Sequence, residues 1–364
     1  MEDILGIKYD GRPCYDIVME NSFDRLSHFL NATGKKYQRI CIVSDTNVAS
    51  LYIDEVREAL RESAGEIHQF VFQAGEASKN LNVVEDLYEN LIKAHFDRND
   101  LLVALGGGVV GDLTGFAAAT YLRGIDFIQM PTSLLSMVDS SIGGKTGVDF
   151  RAFKNMVGAF YMPRLVYMNL SVLNSLPEEQ FRSGMGEVLK HGLIADRDYY
   201  DFLTNNRDKI LGFDPEAIFH VVKRSCEIKG AVVEEDPKEQ GIRATLNFGH
   251  TIGHAVEKLS KFSMFHGECV SVGSVAASYL SMKKGYLSED DFIRIKKSFG
   301  NYGLPVSVDG RRYHADEILK TTKSDKKMQA GKIKFILLKE IGKAVIDTSL
   351  SDDDLLEGIN EILR

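Results

Sequence analysis

The chain has 364 residues, 44% hydrophobic and 26% charged, which is long enough for a large buried core and two domains. A formal net charge of -8 speaks against general affinity for nucleic acid or anionic membranes, while leaving room for a local basic pocket that takes a small anion. Four scattered cysteines (Cys14, Cys41, Cys226, Cys269), no apolar run near the roughly 18–20 residues of a membrane span, and a start, MEDILGIKYD, without signal-peptide regions point to a reduced, cytosolic setting.

In chain order, RICIVSD (39–45) reads as a buried strand followed by helix-like TNVASLYIDEVREALRES. EIHQFVFQ (66–73) is a second strand, and Leu81, Val84, Leu87 and Leu91 after it recur at helical spacing. LLVALGGG (101–108) is a third, running through a glycine turn into DLTGFAAATYLRG, and FIQMPTS (127–133) is a fourth. Strands alternating with helices of this length predict a parallel α/β sheet. The stretches VDSSIGGKTGVD (138–149) and KNMVGAF (154–160) read as glycine-rich and loop-like, and they offer Asp139, Lys145, Lys154 and Asn155. Beyond Leu176-Pro177 helical patterns dominate, and only KIKFILLKEIGKA (332–344) returns to strand and turn. A domain boundary near residue 176 is expected, with a ligand in the cleft between the halves.

Gly106-Gly107-Gly108-Val109-Val110-Gly111-Asp112 matches G-x-G-x-x-G between a strand and a helix, where bare backbone can approach a pyrophosphate. Such glycines also serve tight packing alone. Asp45 precedes the turn instead of following it, so it is either a ribose ligand in an unusual order or a helix N-cap. Among the nine histidines, His250 and His254 stand four apart, on one helix face, and His266 lies twelve further on. The pattern by itself favours zinc held by these three, with Glu187 in SGMGEVLKHG as a further ligand and Lys190 and His191 on its face.

GGGVVGDLTGF, YLRG, VDSSIGGKTGVD, KNMVGAF, GEVLKHG, IRATLNFGHTIGHA, HGE and SDKK follow one another in an order that strongly resembles the 3-dehydroquinate synthase family. The resemblance implies an α/β N-terminal Rossmann-like parallel sheet domain that binds NAD+ (residues 1–176). It also implies an all-α C-terminal metal- and substrate-binding domain (177–364), in a cytoplasmic homodimer that takes a phosphorylated sugar acid, with no nucleic acid or membrane as partner. By the same resemblance zinc (or cobalt) is held by Glu187, His250 and His266, which moves His254 to the substrate side; His191 is left to packing or hydrogen bonding.

The implied cofactor residues are Asp45, Gly75, Glu76, Lys79, Gly108, Val109, Val110, Gly111, Asp112, Thr132 and Ser133, with Asp139, Lys145 and Lys154 near the nicotinamide. The implied catalytic or substrate residues are Lys145, Asn155, Lys190, Lys229, Glu239, Arg243, Asn247, His254 and the pair Lys326-Lys327, with Asp139 beside them. Arg123 of YLRG is implied to reach the phosphate from a neighbouring subunit. The implied reaction turns 3-deoxy-D-arabino-heptulosonate 7-phosphate into 3-dehydroquinate. It passes through transient oxidation at C5, phosphate elimination, re-reduction, ring opening and an intramolecular aldol. Sibling sugar-phosphate cyclases share the metal and NAD parts. Metal-dependent alcohol or glycerol dehydrogenases typically carry an aspartate in the metal set, where this chain has Glu187.

Overall fold

The run LLVALG forms a strand with every residue buried, as a central strand covered on both faces must be. It belongs to the first of two compact units, Met1–Leu176 and Pro177–Arg364, seen in a computed structural model. The structure describes residues 3–151, 153–239, 241–261, 263–323, 328–329 and 332–364. The expected site residues Lys326 and Lys327 lie outside them.

The strands of the first unit are β1 (Asp3–Tyr9), β2 (Arg12–Glu20), β3 (Tyr37–Asp45), β4 (Ala64–Phe72), β5 (Leu101–Gly106), β6 (Asp126–Pro131), β7 (Lys145–Phe150), β8 (Phe153–Phe160) and β9 (Leu165–Asn169). Seven of them make one sheet in the order β1-β2-β9-β6-β5-β3-β4, parallel throughout except at the β1–β2 hairpin. The edge strand β4 is exposed or half-buried at every position but its last, whereas central β5 and β6 are buried at every position. On one face, Val84, Leu87 and Leu91 of the Leu81–Lys93 helix pack with Val110, Leu113 and Ala117 of the Gly108–Thr120 helix over Cys41, Val43, Leu102 and Ala104.

Neither β1–β2 nor β9 was among the strands the periodicity predicts. The stretch read as loop, 145–160, is the separate antiparallel hairpin β7–β8. Its glycines are the reason: a Cβ on Gly158 would meet the Thr146 carbonyl at 2.3 Å and one on Gly147 the Val157 carbonyl at 2.8 Å. Glycine here permits close strand approach where composition suggests a loop.

The second unit is helical apart from short strand pairs, the larger being Phe335–Glu340 with Lys343–Asp347. Among the described residues no helix is long and apolar enough to cross a membrane.

Asp126, at the start of β6, is 9% exposed and accepts hydrogen bonds from Lys35 Nζ (2.6 Å), Arg164 Nε (2.8 Å) and Tyr37 Oη (3.2 Å). Burial alone would raise its carboxyl, but Lys35 and Arg164 outweigh burial and hold it below the usual carboxylate value. A group depressed on folding contributes stability above its unfolded pKa of about 3.9, and that stability is lost as pH falls through the folded value. Denaturant titrations should therefore find Asp126→Asn less stable than the unaltered protein at about pH 6, with the gap narrowing as pH falls below about 4. A gap independent of pH would refute this account.

Candidate metal centre and nucleotide-binding edge

In the first unit the chain runs from β3 outward to β4 and then returns to β5 on the other side of β3. Sheets of this kind bind ligands beyond the carboxyl ends of the strands where the order reverses. Asp45 closes β3 and Gly106 closes β5, so Asp45 and the glycine turn share that edge, with Thr132 and Ser133 just past β6. Asp45 is the N-cap of the Thr46–Ala59 helix, its Oδ1 accepting from Asn47 N (2.9 Å) and Val48 N (3.0 Å). That arrangement engages one oxygen of the carboxylate with the backbone.

Two glycines inside the helix that follows the turn are closely packed. A Cβ on Gly111 would meet Gln129 Oε1 at 2.6 Å, and one on Gly115 would meet Thr146 Cγ2 at 2.4 Å. Gly107 and Gly108, at the N-cap and first residue of the helix, have only Ser133 Oγ and Ser140 Oγ nearby at 3.6 and 3.1 Å. They are the positions where backbone amides can face an anion.

Lys79 is buried beside this turn, and its Nζ donates to Asp112 Oδ2 and to Asn155 Oδ1, each at 2.6 Å. Burial works against its charge, but Asp112 and Glu76 outweigh it and raise the ammonium pKa. Lys154 Nζ lies 3.4 Å from Glu76 Oε1. Asp149, which sequence reasoning did not single out, accepts from Asn155 N at 2.8 Å and donates its own N–H to the Lys79 carbonyl. Glu76 and Lys79 from the segment after β4, Asp112 from the glycine turn, and Lys154 and Asn155 from the hairpin are thus brought together. Arg123 is exposed, in a turn where Leu122 and Arg123 both have positive φ (50° and 71°). Asp139 is half-buried and Lys145 exposed.

In the second unit, Glu187 and Lys190 share the Glu178–Ala195 helix, His250 and His254 the His250–Leu259 helix, and His266 opens the His266–Lys283 helix. What lets these helices meet is the absence of side chains at their crossings. A Cβ on Gly267 would sit 1.8 Å from the Ser183 carbonyl, one on Gly186 2.5 Å from the Gly267 carbonyl, and one on Gly273 1.9 Å from the Gly249 carbonyl. Gly249 itself has φ of +77°, the left-handed conformation that glycine adopts without strain.

Glu187 is fully buried, and its Oε1 lies 3.5 Å from His250 Nε2 and 3.4 Å from His266 Nε2. Lys190 Nζ is in contact with Oε2. His254 stacks edge-on with His250, ring centroids 4.9 Å apart, and a nitrogen of each of His250, His254 and His266 lies within 4.8 Å of the others. Burial alone would raise the Glu187 carboxyl, but Lys190 and His266 hold it far below the usual range. Burial, Lys190 and His254 hold the His250 imidazole well below its usual pKa, whereas Glu187 and Glu257 overcome burial at His266 and push its pKa up to about 10. Without a metal, the pocket between Oε1 and the imidazoles therefore favours a positive charge. Ligands about 2.0–2.2 Å from a tetrahedral ion lie about 3.3–3.6 Å apart, which the Glu187 contacts match.

Of the other expected residues, Arg243 is buried and donates from Nη1 to the Pro237 carbonyl at 2.7 Å, Asn247 Nδ2 donates to Glu239 Oε1 at 3.1 Å, and Lys229 is buried. His191 is fully buried on the Glu187 helix. Sequence reasoning missed Glu257, whose Oε2 is 3.5 Å from His266 Nδ1; the available signal was a glutamate seven residues after His250, on the same helix face.

Two family models match, described as 3-dehydroquinate synthase N-terminal over residues 69–183 and 3-dehydroquinate synthase C-terminal over 184–328. A 3-dehydroquinate synthase of Acetivibrio thermocellus is 42% identical over 346 residues, 95% of each chain. Among solved structures, a 2-deoxy-scyllo-inosose synthase complexed with carbaglucose-6-phosphate, NAD+ and Co2+ superposes with a TM-score of 0.89 at 26% identity, covering 99% of this chain and 100% of that one. The 2-epi-5-epi-valiolone synthase of Streptomyces hygroscopicus, with NAD+ and Zn2+ bound, gives 0.87 at 26% identity and 96% coverage of both.

The crossing at Gly267 makes a prediction about stability. Gly267→Ala should cost at least the upper end of the 1–3 kcal/mol of an overpacked core, about 3 kcal/mol, because only backbone can move away from its Cβ. Gly300→Ala, whose Cβ would meet nothing nearer than Val306 Cγ1 at 4.0 Å, should be neutral or stabilising by up to about 1 kcal/mol. Chemical denaturation of the two variants decides it, and equal effects would refute the crossing's role.

Proposed function

Because the chain belongs to the 3-dehydroquinate synthase family, we propose that it converts 3-deoxy-D-arabino-heptulosonate 7-phosphate into 3-dehydroquinate and phosphate with NAD+ and a divalent ion, zinc by its donor set, as resident groups. The observation that carries this reading is the buried Glu187 Oε1, set 3.5 and 3.4 Å from two imidazole nitrogens. One carboxylate and two imidazoles leave open positions for substrate, as a catalytic site needs. Bound in this site, NAD+ would supply the acceptor and donor for the C5 hydride, and the ion would lower the pKa of the C5 hydroxyl.

Glu187, His250 and His266 would hold the ion. Lys190 occupies Oε2, which leaves Oε1 as the oxygen turned to the imidazoles. His250 directs Nδ1 to the Phe248 carbonyl at 3.0 Å, so Nε2 is the nitrogen that faces Glu187. Asp45, Gly75, Glu76, Lys79, Gly108, Val109, Val110, Gly111, Asp112, Thr132, Ser133 and Lys154 would bind the dinucleotide, its anionic pyrophosphate meeting the bare backbone of the glycine turn. Asp139 and Lys145 would lie by the nicotinamide.

Arg243 and Lys229 suit the substrate carboxylate, and Arg123 of a second copy, with Lys326 and Lys327, suits the phosphate. His254 and Asn247 hold the leaving phosphate, which can itself accept the C6 proton, while Glu239 orients Asn247 through their hydrogen bond. Asn155 and Lys190 complete the polar contacts. During ring opening and the aldol closure these residues hold the chain in a productive conformer.

Incubation with the heptulosonate phosphate, NAD+ and zinc should release phosphate and yield dehydroquinate. No release, or turnover only of a sugar phosphate lacking the carboxylate, would sink the reading. Metal analysis separates the histidines: Ala at Glu187, His250 or His266 should abolish stoichiometric zinc. His254→Ala should retain zinc and lose turnover by about 10²–10⁴-fold.

A further inference from the structure

The two imidazoles that face Glu187 have their other ring nitrogens engaged differently. Nδ1 of His250 meets a neutral acceptor, the Phe248 carbonyl. Nδ1 of His266 meets a carboxylate, Glu257 Oε2, at 3.5 Å. Glu257 is 7% exposed and sits on the helix that also carries His250 and His254. A second buried carboxylate, against the other nitrogen of the imidazole that faces Glu187, is costly unless it does something for its neighbours, since a buried charge must be met by a partner.

Resting on the metal reading above, we infer that Glu257 is a positioning residue for the metal centre: its carboxylate accepts the Nδ1–H of His266 and so keeps the Nε2 lone pair turned toward Glu187. A neutral imidazole has one donor and one acceptor nitrogen, and a partner for the donor settles which is which. A carboxylate in that place also makes the other nitrogen more basic than a carbonyl does. The backbone supports the reach of Glu257. A Cβ on Gly253 would meet the Cys269 carbonyl at 2.6 Å, so the helix bearing Glu257 lies directly against the one that His266 begins.

Two helices are thereby joined through one imidazole. A second anionic group, one imidazole away from Glu187, also raises the affinity of the pocket for a doubly charged cation, by Coulomb attraction in a buried setting. A carboxylate that only anchored the helix would affect folding and leave metal affinity alone.

The test is zinc affinity of the full chain, measured by competition with a chromophoric chelator, alongside thermal melting of the metal-free protein. Glu257→Ala should weaken zinc about 10–100-fold. Glu257→Gln keeps an acceptor oxygen without the charge and should recover part of this, losing roughly three- to ten-fold, with metal-free melting close to the unaltered protein. If Glu257→Ala does not fold, Glu257→Gln decides alone, a change below about twofold overturning the inference. Zinc affinity unchanged in both variants, or lost equally in both, also overturns it. An unaltered protein that binds no zinc would instead overturn the metal reading itself, so the two failures are distinguishable.

Discussion

A carboxylate with no exposure has to be met by positive charge, because an ion taken out of water and left alone costs several kcal/mol even after relaxation. Glu187 is such a group, and the second unit is arranged around meeting it. Lys190, one helical turn along, takes one oxygen. The other oxygen faces two imidazoles that come from two further helices. Those helices reach it only because Gly186, Gly249, Gly267 and Gly273 let backbone touch backbone. The same glycines that look like helix breakers in the sequence are what allow the three helices to converge. Their conformational cost is offset by the contacts they permit.

The first unit solves a different problem with the same residue. At the turn after β5, Gly111 and Gly115 seat the helix against the sheet, while Gly107 and Gly108 leave amides open at its N-terminus. A parallel sheet delivers these positions to the carboxyl ends of its strands, beside Asp45, without any need for sequence proximity. The hairpin β7–β8 then ties to the turn through Lys79, Asp112 and Asn155, so a single buried ammonium bridges three segments. Because burial opposes the charge on Lys79, its partners must remain anionic or strongly polar for the arrangement to hold.

Much of this was legible in the chain. Buried strands such as RICIVSD and LLVALG announce themselves as continuous apolar runs, and the helical periodicity of Leu81, Val84, Leu87 and Leu91 places their cover. The hairpin at 145–160 was not legible, since its glycines mimic a loop and its outer face leaves Phe153 and Phe160 exposed. Nor was β1–β2, the antiparallel pair that lies outside the strand–helix alternation. Family motifs marked His250, His266 and Glu187 together; helical spacing alone paired His250 with His254.

What the sequence determined by itself was the class of fold, the glycine turn between a strand and a helix, and the presence of histidines at a helical spacing able to face one another. These follow from local periodicity and from residue chemistry, which need no partner in space. Which atoms face one another was decided only by the tertiary structure. The Oε1 of Glu187 between two imidazoles, the Nδ1 of His266 toward Glu257 and the Lys79 bridge join residues 63, 79, 9 and 76 positions apart, as in His250 with Glu187, His266 with Glu187, His266 with Glu257, and Lys79 with Asn155 respectively. Such contacts depend on how closely helices and strands can approach, and that is set by where a Cβ is missing on elements far apart in the chain.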